Sequence, residues 1–113
     1  MNRILIVDDE QSMRELLSIM LRKEGFDVVA APDGESAIKA VQSDIYDLVI
    51  TDIRMPKIDG IELLRTVKDV SPETVVIVIT AFATTETAVD AMKLGAYDYI
   101  TKPFKNEEIK LVI

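Results

Sequence analysis

Apolar runs and segments of helical periodicity alternate five times along the chain. The run RILIV, Arg3–Val7, has the length and composition of a buried strand. Beyond it, Met13, Leu16, Leu17, Met20 and Leu21 recur at i, i+3, i+4, i+7 and i+8, the spacing of one helix face. Gly25 stands where a left-handed residue would end that helix. DVVAA, Asp27–Ala31, predicts a shorter strand, and Asp33-Gly34 opens a second helix with Ala37, Ala40 and Val41 facing inward. Leu48–Thr51 predicts a third strand. A loop over 52–59 leads to a third helix, on which Gly60, Leu63, Leu64 and Val67 share a face. VVIVIT, Val75–Thr80, is the most continuous β-branched run and predicts a central strand. A helix around 85–94, stopped by Gly95, precedes a last short strand over 97–101 and a fifth helix that starts near Lys105 or Asn106.

Strict alternation of strands and helices implies a parallel sheet covered on both faces. Five strands joined by right-handed crossovers predict a doubly wound α/β fold, with the flavodoxin-like strand order 2-1-3-4-5. Ile109, Val112 and Ile113 keep helical spacing to the last residue with no cap, and a covering helix usually runs to about 11–12 residues. The expectation is therefore a single domain over 1–113 with a truncated last helix, either the N-terminal part of a longer protein or a domain trimmed close to its limit.

Composition narrows the chemistry. Hydrophobic residues make up 49% of the 113, enough for a proper core and against disorder. The chain has no Cys and no His, which removes thiolate chemistry, imidazole bases and soft metal sites. A metal here has to be held by oxygen, which points to a hard cation such as Mg²⁺. The net charge of −7 argues against direct contact with nucleic acid by this segment. The apolar run at the N-terminus is far too short for a signal peptide or a membrane span, so a cytoplasmic protein is expected.

Polar residues stand at the C-terminal ends of four of the predicted strands: Asp8 and Asp9 after the first, Asp52 after the third, Thr80 at the end of the fourth, Lys102 after the fifth. In a parallel sheet of order 2-1-3-4-5 these ends lie side by side, at the edge where ligands bind. Each has a bland reading on its own. Asp8-Asp9 could cap the first helix, Thr80 could be an ordinary strand residue, and Lys102-Pro103 could be a turn. Asp52 lies eight residues before the helix it would cap, which weakens that reading. One shared site explains all five positions together. Three carboxylates that converge repel one another, by about 4 kcal/mol for unit charges 4 Å apart at an effective dielectric of 20. The site therefore needs cations, with Lys102 as one and Mg²⁺ as the natural second. A carboxylate so neutralised can act as nucleophile on a phosphoryl group. Thr80 can donate to a phosphoryl oxygen, and Ala81 is small enough to leave the approach open.

The set Asp8-Asp9, Asp52, Thr80 and Lys102-Pro103 in a fivefold strand–helix chain resembles the receiver domain of bacterial two-component response regulators. The likeness covers essentially the whole chain. It implies that Asp52 is the phospho-acceptor, and that Asp9, Asp52 and the main-chain carbonyl of Arg54 ligate Mg²⁺ while Asp8 acts through water. It further implies that Lys102 and Thr80 bind phosphoryl oxygens, and that Thr80 and Tyr99 form the conformational switch. The partners it implies are a sensor histidine kinase, a second receiver in a homodimer and an output domain of the parent protein. The run VIVITAFATTETAVDAMKLGAYDYITKPF resembles receivers of the nitrogen-regulation class of transcription activators. Such a receiver is a signalling domain that catalyses its own phosphorylation and dephosphorylation.

Two rival readings fit less well. A haloacid-dehalogenase-like phosphatase would place its nucleophile after the first strand and a second Asp two residues on; two residues past Asp52 stands Arg54. A flavodoxin-like carrier needs a phosphate loop after the first strand, where DDEQSMRE would repel phosphate. Arg54 and Phe82 occupy positions that, by the resemblance, affect dephosphorylation. Their bulk predicts a phosphoform that outlives that of fast chemotaxis-type receivers.

Overall fold

The computed structural model describes residues 3–81 and 83–102. Along the chain run β1 (Arg3–Val7), α1 (Gln11–Lys23), β2 (Asp27–Ala31), α2 (Gly34–Ser43), β3 (Leu48–Thr51), α3 (Gly60–Val70), β4 (Val75–Thr80), α4 (Thr85–Lys93) and β5 (Asp98–Thr101). The strands form one parallel sheet in the order β2-β1-β3-β4-β5, as the alternation predicts. The expected fifth helix, Pro103 and Phe82 lie outside the described residues.

The period-2 geometry of a strand sorts the side chains by shape as well as by face. Leu5, Val49 and Val76 are register partners in neighbouring strands, and so are Ile6, Ile50 and Ile77. The first row joins a core with Ala37 and Val41 of α2, Leu63, Leu64 and Val67 of α3, and Ala91 of α4. The second row, with Ile4, Ile79 and Ile100, packs against Leu17, Met20 and Leu21 of α1. Helices thus cover both faces, and the sheet is buried throughout except at its edges.

Helix α1 is rotated from its expected phase. Leu17, Met20 and Leu21 are buried, but Leu16 is 48% exposed, and Ser18 is buried in its place. Successive residues stand about 100° apart, so a buried face centred on Leu17 and Leu21 takes in Met20 on one side and Ser18 on the other and leaves Leu16 beyond its margin. Strand β5 begins at Asp98 rather than at 97: Tyr97 is 61% exposed, although its N–H already donates to the Val76 carbonyl. The glycines expected to stop α1 and α4 are indeed left-handed, Gly25 at φ 94° and Gly95 at φ 101°.

Candidate functional site

The backbone ladder runs one step past three strands and so fixes the site. The Asp8 N–H donates to the Ala31 carbonyl, Asp52 N–H to the Val7 carbonyl and Lys102 N–H to the Thr80 carbonyl, at 3.3, 3.1 and 2.8 Å. Asp8, Asp52 and Thr80 are buried where those strands end. The side chain of Lys102 is only 8% exposed, and its Nζ donates to Asp8 Oδ2 and to Asp52 Oδ2, both at 2.9 Å. Residues 94 and 50 positions apart are thereby joined through one ammonium group.

The other carboxylate oxygens are used locally. Asp52 Oδ1 accepts from the backbone N–H of Ile53 at 2.6 Å and, more weakly, of Arg54 at 3.4 Å. Asp8 Oδ1 accepts from the Glu10 N–H at 3.0 Å, and the Asp8 carbonyl accepts from Arg14 Nη1 at 2.7 Å. The caps of α2 and α3 are different aspartates, Asp33 and Asp59, each accepting from the N–H three residues on. Asp52 therefore has no capping duty.

The loop that carries Asp52 back to α3 is pressed against its surroundings. A Cβ on Gly60 would lie 2.1 Å from the Asp52 carbonyl oxygen, so only glycine lets α3 start there. A Cβ on Gly34 would lie 2.6 Å from the Ile58 carbonyl, which seats the same loop on the first turn of α2. Lys57 takes a left-handed φ of 67° at the loop's tip.

Not every expected residue converges. Asp9 is exposed, beside an open depression of about 440 Å³ that it lines with Ile53, Arg54, Met55, Pro56 and Asp59. Tyr99 is half-buried, and its hydroxyl hydrogen-bonds Thr87 Oγ1 on α4 at 2.7 Å. Two participants carry no sequence signal of their own. Glu10 reaches Lys102 at 3.7 Å, and its carboxylate shares with those of Asp8 and Asp52 a cluster whose oxygens lie within 4.8 Å of one another. Arg14 tethers the turn after β1.

A response regulator receiver domain profile matches residues 4–113. The chain belongs to that family. It is 43% identical over 112 residues to the regulatory protein AtoC of Escherichia coli, covering 99% of this chain and 24% of AtoC. Identity to the transcriptional regulatory protein ZraR of Klebsiella oxytoca is 40% over 110 residues, covering 97% of this chain and 25% of ZraR. The solution structure of the beryllofluoride-activated NtrC4 receiver domain dimer superposes with a TM-score of 0.92 at 39% identity, covering 98% of this chain and 92% of that one. These relatives are of the nitrogen-regulation class. The receiver spans about a quarter of the length of AtoC and of ZraR.

The donor set of the receiver's acidic site fits a hard divalent cation. It is oxygen only, it brings carboxylates from two strand ends and the turn after β1 into one cluster, and two of them are buried. Within the described residues that negative charge is met by Lys102. Burial, the largest single influence, pulls the Lys102 ammonium down. Its hydrogen bonds to Asp8 and Asp52 and their charges together outweigh burial, so its pKa stands above the ordinary lysine value. A raised lysine pKa contributes stability that is fully present below the unfolded value and is lost as pH rises through the folded one. This contribution is therefore constant across neutral pH and fails only in strong alkali.

Replacing Lys102 with Met leaves two buried carboxylates without their shared cation. Urea unfolding in metal-free buffer at pH 7 is expected to show a loss of about 3 kcal/mol. Mg²⁺ is expected to restore more stability to Lys102→Met than it adds to the unaltered receiver, because the ammonium no longer competes for the same oxygens. Equal Mg²⁺ effects on the two proteins would contradict this account of the site.

Proposed function

We propose that the receiver is a phosphorylation-dependent switch that accepts a phosphoryl group on Asp52 from the phosphohistidine of a sensor histidine kinase. The observation that carries the reading is the Lys102 ammonium held 2.9 Å from both Asp8 and Asp52. A phosphoryl group on Asp52 would meet a fixed positive charge, and preorganised charge of this kind is what phosphoryl transfer chiefly requires. An Asp52 oxygen forms the new bond to phosphorus while the donor's P–N bond breaks, and the electron pair leaves with the imidazole nitrogen. Small donors such as acetyl phosphate react in the same way, with acetate as leaving group.

Asp9, Asp52 and the Arg54 carbonyl would hold Mg²⁺, with Asp8 acting through water. The bound ion supplies neutralisation of the phosphoryl oxygens. Lys102 pairs with those oxygens, and Thr80 donates a hydrogen bond to one of them. Thr80 and Tyr99 then act as the switch, changing the surface of α4, β5 and the fifth helix expected from the sequence. Tyr99 has something to exchange, since its hydroxyl is bonded to Thr87 at the start of α4. Inverting a 1:99 population requires about 5.5 kcal/mol of differential interaction, within reach of a group that adds up to about two negative charges and strong acceptors.

The altered surface would pair with a second receiver and control an output domain of the parent protein, with transcriptional activation as the result. The NtrC4 receiver dimer and the regulators AtoC and ZraR support that reading. Cytoplasmic location accords with it, and no helix among the described residues is long and apolar enough to cross a membrane.

Incubation with acetyl phosphate is expected to add one phosphoryl group by intact mass when Mg²⁺ is present and none when EDTA removes it. Equal incorporation with and without Mg²⁺ would count against the reading. Arg54 lines the depression beside the acceptor loop, so Arg54→Asn is expected to shorten the phosphoform's half-life several-fold in a phosphate-release time course. Unchanged or slower release would remove the shielding role from Arg54.

A further inference from the structure

Helix α1 starts at Gln11, which makes Glu10 its N-cap residue. Glu10 is in extended backbone but makes no side-chain capping hydrogen bond. An acidic residue at a helix start ordinarily acts on the helix's own N–H groups or dipole. Here the carboxylate reaches away, to Lys102 Nζ at 3.7 Å and into the cluster with Asp8 and Asp52. Its backbone leaves it little choice. The Glu10 N–H is held by Asp8 Oδ1, its carbonyl accepts from the Arg14 N–H at 3.1 Å, and the Arg14 guanidinium grips the Asp8 carbonyl. One turn therefore places Asp8 and Glu10 together. Asp8 is buried, whereas the Glu10 side chain is 62% exposed and meets Lys102 from the solvent side.

We propose that Glu10 raises the affinity of the acidic site for a divalent cation and does so from its rim. The inference rests on the reading of the site as Mg²⁺-dependent, and extends it to a residue outside the aspartates, the threonine and the lysine. Two effects act in the same direction. The Glu10 charge attracts a doubly charged ion at close range through partly exposed surroundings. Glu10 also gives Lys102 a third anion on its outer side. The ammonium holds the Oδ2 atoms of Asp8 and Asp52, the kind of oxygen a hard cation takes, so a partner that draws it outward favours entry of the ion. A 3.7 Å pair whose carboxylate stands largely in solvent contributes little to folding, so a merely structural role predicts no change in metal binding.

Calorimetric titration of the receiver with MgCl₂ tests this on three proteins: the unaltered chain, Glu10→Gln and Glu15→Gln. Glu15 is an exposed α1 residue whose carboxylate accepts from Gln11, and its substitution removes the same unit of charge. Glu10→Gln is expected to weaken Mg²⁺ binding roughly three- to tenfold, and Glu15→Gln by less than about twofold, because solvent and salt screen the more distant charge. If the unaltered chain binds no Mg²⁺, the functional reading falls, and the role of Glu10 with it. If the chain binds Mg²⁺ but Glu10→Gln binds it as well or better, or if Glu15→Gln loses as much, the role of Glu10 alone is overturned.

Discussion

Asp52→Asn is expected to abolish phosphoryl incorporation while leaving the fold in place. The amide is nearly isosteric with the carboxylate, and its oxygen can still accept from the Ile53 N–H that now lies 2.6 Å from Asp52 Oδ1. Its NH₂ group would then face Lys102, so the ion pair on that side is lost. Lys102 keeps its 2.9 Å bond to Asp8, and the repulsion between the two buried carboxylates disappears. Loss and relief offset each other, and the change in unfolding free energy is expected to stay within about 2 kcal/mol. Function has no such compensation, because an amide is not a nucleophile towards phosphorus at neutral pH. Intact mass after incubation with Mg²⁺ and acetyl phosphate should show no added phosphoryl group, with urea unfolding as the control for folding. An adduct retained by Asp52→Asn would remove Asp52 from the centre of the mechanism.

Gly60→Ala is expected to disturb Asp52, the proposed acceptor, without touching its side chain. The added methyl would sit 2.1 Å from the Asp52 carbonyl oxygen and 2.9 Å from both its carbonyl carbon and the Ile53 Cα. All three are backbone atoms of the residue that has to be placed and of its neighbour, so relief requires moving Asp52 or the start of α3. Overpacking of this kind costs about 1–3 kcal/mol. A displacement of the order of 1 Å in a reacting group can cost about a hundredfold in rate. Phosphorylation by acetyl phosphate is therefore expected to slow by about that factor. Gly25→Ala separates backbone strain from this effect. Gly25 has a left-handed φ of 94° but nothing within 4 Å of a new Cβ. Its substitution should cost about 1 kcal/mol of stability and leave the phosphorylation rate unchanged. Equal loss of rate in both variants would show that Gly60 acts through general stability alone.

Much of the fold is legible in the sequence because a doubly wound sheet repeats simple signals. Strands β1, β3 and β4 are runs rich in Leu, Ile and Val, and β2 is a shorter Val-Val-Ala-Ala run after Asp27; their bounds follow from composition. Helix phase is harder to read. Leu16 and Leu17 are both apolar, and only packing against the Ile4–Ile6 face of the sheet selects Leu17 and turns Leu16 to solvent. The site is legible to the extent that it follows from topology, since parallel strands deliver their C-terminal ends to one edge. Asp8, Asp52 and Lys102 meet for that reason. Which of two adjacent aspartates faces inward is set by the turn after β1, and there Asp8 is buried while Asp9 is exposed. Glu10 has no spacing that would mark it, because its approach to Lys102 depends on that same turn. Gly60 reads as a small residue on a helix face, and its contact with the Asp52 carbonyl exists only in three dimensions.

The central claim concerns one atom group, the Asp52 carboxylate, and its chemistry can be located directly. An acyl phosphate is a mixed anhydride, so borohydride reduces the carbonyl carbon to an alcohol and converts the phosphorylated aspartate to homoserine. The receiver would be incubated with Mg²⁺ and acetyl phosphate, reduced, digested and mapped by peptide mass. Homoserine at position 52 alone is the expected result; homoserine at Asp8, Asp9 or Asp59, or a phosphoryl group that resists reduction, would contradict the account.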